Sequence, residues 1–154
     1  DNHGVYLVED TVAKLEYPMN EESLKHAQEC FGFVYDKYLK GTNVKTYLSV
    51  IPDKNYFLAS QNGYPALDYE KMLSLLQENM PFAEYIDLFS HLSLEDYYKT
   101  DTHWRQEKII DASRVLASAM GGGGIGDYTV GKADVPFYGV YYGQAALPLP
   151  PETL

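Results

Sequence analysis

The run Val44-Lys45-Thr46-Tyr47-Leu48-Ser49-Val50-Ile51-Pro52 decides how the rest of the chain is read. Tyr47, Leu48, Val50 and Ile51 make it nearly continuously apolar, without the alternation of a strand that keeps one face wet. A strand that is apolar on both faces belongs in the middle of a parallel sheet with helices on either side. Pro52 ends it. On the N-terminal side, Asn20 is a good helix cap, and Glu21 and Glu22 fill the first turn, where the helix dipole favours negative charge. Leu24, Ala27, Phe31, Val34 and Tyr38 then recur at three- and four-residue steps, predicting a helix with one apolar face that stops at Gly41. Before it, Val5-Tyr6-Leu7-Val8 lies between Gly4 and Glu9-Asp10 and reads as a buried strand.

On the C-terminal side, Asp53 to Ala66 reads as a loop punctuated by Asn, Gly and Pro. Asp68 to Glu78 reads as a second helix, carrying Met72, Leu73, Leu75 and Leu76 and closed by Pro81. Tyr85 to Phe89 is a third strand candidate. Strand, helix, strand, helix, strand predicts an α/β domain with a mainly parallel sheet. Ser93 is placed to cap a short turn. A third long helix is expected from Arg105 to Met120, with Ile109, Ile110, Ala112, Leu116 and Ala119 on its apolar face. Gly121 to Gly124 reads as a flexible segment. Two aromatic strand-like runs follow, Tyr128 to Val130 and Phe137 to Tyr142, and then a proline-rich extended exit.

At 154 residues and 45% hydrophobic composition, residues 1–154 read as a single globular domain or a fragment of one. The start at Asp1 and the proline-rich finish lead us to expect a segment of a longer protein. A net charge of −10 argues against a nucleic-acid partner, because phosphate binding needs a basic surface. No apolar run is long enough to span a membrane. Cys30 stands alone, so no intrachain disulfide forms; its helix-patterned neighbours predict a buried core thiol. His26, beside Ala27, reads as core packing or a solvated rim. The 15 Tyr against 6 Phe and 1 Trp suit half-buried strands and helices, or a sugar- or protein-facing surface.

The chemistry-bearing stretch is Tyr97-Tyr98-Lys99-Thr100-Asp101-Thr102-His103-Trp104. An aspartate two residues before a histidine can hold an imidazole in the tautomer that a serine nucleophile needs, and stabilise its charged form. With 11 Asp and 4 His, Asp-x-His arises by chance in roughly one such chain in four, so spacing alone also admits simple helix capping by Thr100, Asp101 or Thr102 with Trp104 in the core. His91, Asp96, Asp101 and His103 match no familiar zinc spacing. The glycine run lacks the Gly-Lys-Ser/Thr ending of a phosphate loop, and no metal or cofactor is expected.

The block with a helix behind it resembles the DHHW family of bacterial proteins and is similar to alginate O-acetyltransferase-type domains, which are SGNH-hydrolase-like. The resemblance extends to Gly4 to Val8, Ile51-Pro52-Asp53-Lys54, Phe137-Tyr138-Gly139-Val140-Tyr141-Tyr142 and Leu149 to Leu154, although only Asp-Thr-His-Trp is specific. Thr102 stands where the family name has a histidine. The resemblance implies a three-layer α/β SGNH-like fold. It also implies that Asp101 orients His103 and that His103 is the general base for a serine. The implied function is a serine esterase or O-acyltransferase acting on a cell-envelope glycan or acyl ester, outside the cytoplasm. In such relatives the serine lies C-terminal to the Asp-x-His, often in an Asp-Ser motif. This sequence contains no Asp-Ser, and Ser90, Ser93, Ser113 and Ser118 lack a nucleophile-elbow context. The nucleophile is therefore expected outside this chain, and the competing expectation is a non-catalytic glycan- or protein-binding module.

Overall fold

The computed structural model describes residues 4–124, 126–146 and 148–154. Strand β1 (Val5–Val8) turns back at once into β2 (Thr11–Lys14), pairing Val8 with Thr11 and Val5 with Lys14 in antiparallel register. Glu9 takes a positive φ of 53° in the two-residue loop. Hairpins of this kind usually carry Asn-Gly or Asp-Gly, and Glu9-Asp10 offers neither, which is why the second strand is not visible in the sequence.

Both faces of this hairpin are covered. Val5 and Val12 pack on Tyr141 and Ala145 of a late helix, α5 (Val140–Ala145). Tyr6 and Ala13 pack on Leu58 of α2 (Lys54–Leu58), with Tyr64 stacked on Tyr6 at 3.9 Å. Consecutive residues of a strand point to opposite faces, so burial of neighbours in both β1 and β2 requires a layer on each side. A third cluster, Leu88, Leu92 and Ala112, takes in Trp104, Ile109 and Leu116 and anchors α4 (Ile110–Ala119).

The mainly parallel sheet expected from the element order is corrected. The described residues form three two-stranded sheets. β1 and β2 are antiparallel; β3 (Tyr47–Leu48) and β4 (Glu84–Tyr85) are parallel; β5 (Pro136–Phe137) and β6 (Glu152–Thr153) are antiparallel. A two-residue loop can only return the chain antiparallel, whereas parallel neighbours need a long crossover. Among the described residues there is one such crossover, from β3 to β4, through α2 and α3 (Tyr69–Asn79). The molecule is thus mixed α and β with small sheets.

Several local expectations hold. Asn20 caps α1 (Glu21–Val34) by accepting from Ser23 N at 2.9 Å, and the helix runs on through a wider turn, Tyr35–Leu39, before Gly41 at φ 81°. Asp68 caps α3, and Ser93 and Asp96 form a reciprocal capping box on a short turn.

Others are corrected. Asp53 to Ala66 is not a plain loop: Asp53 accepts from Asn55 N at 2.7 Å and opens α2. α4 begins at Ile110 and not near Arg105, and Phe137 ends a strand whose successor, from Val140, is helical. Tyr128 to Val130 forms no strand among the described residues.

The apolar face of α1 is not covered as its pattern implies. Leu24 and Ala27 are half-buried, but Phe31, Phe33, Val34 and Tyr38 are exposed. Cys30 accordingly lies on the surface, its Sγ 3.7 Å from His26 Nε2, and not in the core as predicted. The accessible surface is 9901 Å². A compact monomer of 17.4 kDa would expose about 7,900 Å². No helix among the described residues is long and apolar enough to cross a membrane.

Candidate functional site

The segment from Tyr97 to Trp104 is a tight antiparallel loop. Tyr97 and Trp104 form an isolated bridge, Tyr98 N donates to His103 O at 3.1 Å, and Arg105 N donates to Asp96 O at 2.6 Å. Its two stems are anchored in the interior. Trp104 joins the cluster around Leu88 and Ala112, and the Tyr97 hydroxyl donates to Pro52 O. The entering limb lies along the free edge of β2, where Val12 N donates to Lys99 O at 2.8 Å. The hairpin tip is tied to it by the Lys99–Asp10 ion pair.

At the apex of this loop Asp101 turns inward and His103 outward. Asp101 Oδ1 accepts from the backbone N of His103 at 2.9 Å and lies 2.6 Å from His103 Nδ1. Asp101 Oδ2 accepts from Val140 N, the first residue of α5, at 2.8 Å. The sequence therefore brings together the two residues it singled out, and adds a third partner from nearly forty residues away. The capping alternative does not apply to α4, which starts at Ile110; Asp101 instead makes an Asx turn onto its own loop.

Burial alone would push the Asp101 carboxyl upward, but the N–H groups of His103 and Val140 and the His103 ring hold it below its ordinary value. It is thus a carboxylate at neutral pH, and a carboxylate can only accept. His103 Nδ1 must carry the proton between them, leaving the lone pair on Nε2. The His103 side chain is 77% exposed while that of Asp101 is 10% exposed. The arrangement is a buried anion orienting a solvent-facing imidazole whose free nitrogen can take a proton.

The loop apex is held by groups that sequence reasoning missed. Gly139 N donates to Thr100 Oγ1 at 3.2 Å and Tyr141 N to Thr100 O at 3.0 Å. Gly139 is pressed so closely on the Thr100–Asp101 peptide that a Cβ there would lie 2.2 Å from Thr100 O. Glu152 of β6 accepts from Lys99 N, Thr100 N and Thr100 Oγ1 at 2.7–2.8 Å. Lys54, the first residue of α2, donates to Tyr98 O at 2.9 Å and Lys99 O at 3.0 Å. Burial pulls the Lys54 ammonium down to about 8, against the opposing pull of Glu152 and Asp101. A signal existed for Lys54, which follows the helix-capping Asp53. None existed for Glu152, which looked like part of an extended exit.

Three of the four serines near the block are engaged elsewhere. Ser90 Oγ donates to Asp87, Ser93 Oγ to Asp96 and Ser113 Oγ to Ile109 O. Among the described residues no serine hydroxyl is hydrogen-bonded to His103, and no group of three or more His, Cys, Asp and Glu side chains is gathered as metal ligands. A groove of about 1060 Å³ runs beside the loop between Tyr98, Arg105, Tyr128 and Leu154, but neither Asp101 nor His103 is among its described lining residues.

Two solved structures share this fold. PatB1 from Bacillus cereus matches with a TM-score of 0.70 and 17% identity, over 97% of this chain and 54% of that one. A DHHW family protein from Eubacterium siraeum matches with a TM-score of 0.73 and 16% identity, over 100% of this chain and 54% of that one. The chain therefore spans about half the length of each. At these identities the likeness is one of fold. No family model matches the chain, and no curated protein sequence matches it.

Proposed function

We propose that Asp101 and His103 are the orienting carboxylate and the general base of a serine-dependent acyl-transfer centre. The domain would be of the three-layer SGNH-like kind, working as an esterase or O-acyltransferase on a glycan of the bacterial cell envelope. The observation that carries this reading is the 2.6 Å contact between Asp101 Oδ1 and His103 Nδ1, with the rest of the imidazole facing solvent. In the proposed reaction His103 Nε2 takes the proton of a serine hydroxyl as the serine oxygen attacks an acyl carbonyl. The tetrahedral adduct then collapses, His103 returns the proton to the departing alkoxide, and an acyl-enzyme remains. Water or a sugar hydroxyl, deprotonated by the same nitrogen, completes the cycle.

The serine belongs to polypeptide outside these 154 residues. Two facts support this: the matched structures are almost twice as long, and the accessible surface exceeds that of a compact monomer by about 2,000 Å². That excess is more than twice the roughly 800 Å² that each partner buries in a standard protein–protein interface. The exposed Phe31, Phe33, Val34 and Tyr38 are where such added structure would pack.

The test is acetyl-ester turnover. A longer natural protein containing this chain should turn over a generic acetyl ester and lose that activity in His103→Ala and Asp101→Asn. The 154 residues alone should show none. A longer protein whose turnover survives His103→Ala contradicts the proposal. A second reading, a non-catalytic glycan- or protein-binding module, is favoured by the exposed Tyr17, Tyr38, Tyr56, Tyr128 and Tyr138. It predicts polysaccharide retention that is indifferent to His103→Ala.

A further inference from the structure

We propose that Lys54 and Glu152 act as an electrostatic clamp on the Tyr98–Thr100 backbone, and that this clamp positions the Asp101–His103 pair. The inference rests on reading that pair as a working base and its orienting carboxylate.

The geometry is specific. One stretch of backbone is gripped by two opposite charges, each matched to the polarity of the groups it meets. The Lys54 ammonium takes the carbonyls of Tyr98 and Lys99. The Glu152 carboxylate takes the N–H groups of Lys99 and Thr100 and the Thr100 hydroxyl. Lys99 thus has its N–H on an anion and its carbonyl on a cation, and charge-assisted bonds in series reinforce one another. The next residue is Asp101. Its Oδ2 meets Val140 N only if the Thr100 backbone stays where Glu152 and the N-terminus of α5 hold it.

Stability alone does not account for Lys54. The residue is 3% exposed, and the hydrogen-bond acceptors of its ammonium are two neutral carbonyls; the Tyr141 ring lies 5.2 Å away. Burying a cation costs several kcal/mol, roughly, and replacing buried charges with apolar side chains is often neutral or stabilising. What the ammonium supplies, and an apolar side chain cannot, is a directed grip on two successive carbonyls of the loop that carries the pair.

The test is the tautomer of the neutral His103 imidazole, read by 15N NMR on Lys54→Met, Glu152→Gln and a distant core control, Leu76→Ala, each folded by circular dichroism. In the unmodified chain Nδ1–H should dominate. In both clamp variants the Nδ1–H to Nε2–H ratio should fall roughly three- to tenfold, the effect of weakening one charge-assisted bond. The Leu76→Ala chain, equally or more destabilised, should keep the original ratio. An unchanged ratio in either clamp variant overturns the clamp, as does an equal change in Leu76→Ala. Glu152→Gln preserves side-chain shape on a half-exposed residue, so the result does not depend on Lys54→Met folding. If the unmodified chain itself lacks the Nδ1–H preference, the acid–base reading fails instead, and the two failures are distinguished.

Discussion

Gly139→Ala should damage the site more than alanine at any other glycine of the chain. The Gly139 backbone is ordinary, with φ −69° and ψ 166°, so its need for glycine is purely steric. The added Cβ would lie 2.2 Å from Thr100 O, 2.3 Å from Thr100 C and 2.6 Å from Asp101 N, all backbone atoms that no side-chain rotation can move. Real Cβ contacts essentially never fall under 3.0 Å, so α5 and the loop must separate by at least 0.8 Å. That stretches the 2.8 Å bond from Val140 N to Asp101 past hydrogen-bonding range, and weakens those of Gly139 N and Tyr141 N to Thr100. Overpacking of this kind costs about 1–3 kcal/mol, and the weakened hydrogen bonds bring the total to about 2–4 kcal/mol. For a chain of this size the melting temperature should drop by about 4–16 °C. Gly143, in the same helix, has no atom within 4 Å of its would-be Cβ. Gly143→Ala should therefore be neutral or stabilising by about 0.5–1 kcal/mol through helix propensity. Thermal melts of the two variants check this. A Gly139→Ala melt within about 2 °C of the parent, the shift of well under 1 kcal/mol, would refute the close-approach argument.

Three further outcomes are expected. Thr100→Val removes a hydroxyl that donates to Glu152 and accepts from Gly139 N, so Gly139 N loses its acceptor while Glu152 keeps the Lys99 and Thr100 N–H groups; it should cost about 1–3 kcal/mol by denaturant titration while Thr100→Ser costs much less. Lys54, at about 8 in the fold against 10.5 in the unfolded chain, binds its proton less tightly when folded because burial disfavours the charged ammonium, a pull that the Glu152 and Asp101 carboxylates only partly offset. Unfolding therefore takes up a proton between those values, and stability should rise with pH from about 8 to 10 by roughly 2–3 kcal/mol, a rise absent in Lys54→Met. Above pH 10 the trend should reverse, because burial raises Tyr6 to about 12 and Tyr69 and Tyr97 further still, so the unfolded chain loses those protons first. Phe31→Ser, on the uncovered face of α1, should change the stability of these 154 residues by no more than about 0.5 kcal/mol in a denaturant titration.

What the sequence made legible is what local chemistry controls. Asn20 and Asp68 sit where helices start, Ser93 where a turn is capped, and Val5 to Val8 where a strand runs, because caps and short apolar runs act within a few residues. The Asp101–His103 contact was legible for the same reason, being made across two residues of one loop. Non-local features were not. The β2 return depends on a positive φ at Glu9, a residue with no turn signature. Val44 to Ile51 reads as a long central strand, yet only Tyr47 and Leu48 are paired, and Ile51 is exposed. Val140, Gly139 and Glu152 reach the site from distant segments, and no cap, turn signature or periodicity around them announces it. The α1 stripe was legible as an amphipathic face, but its periodicity cannot say what covers it.

The measurement that bears most directly on the account is the protonation site of the His103 ring. In 15N-labelled chain at a pH where the imidazole is neutral, the proton should sit on Nδ1, facing Asp101, with Nε2 unprotonated. In Asp101→Asn that preference should disappear. An imidazole protonated mainly on Nε2 in the parent chain, or a tautomer ratio that Asp101→Asn leaves unchanged, would contradict the claim that Asp101 holds His103 as a base.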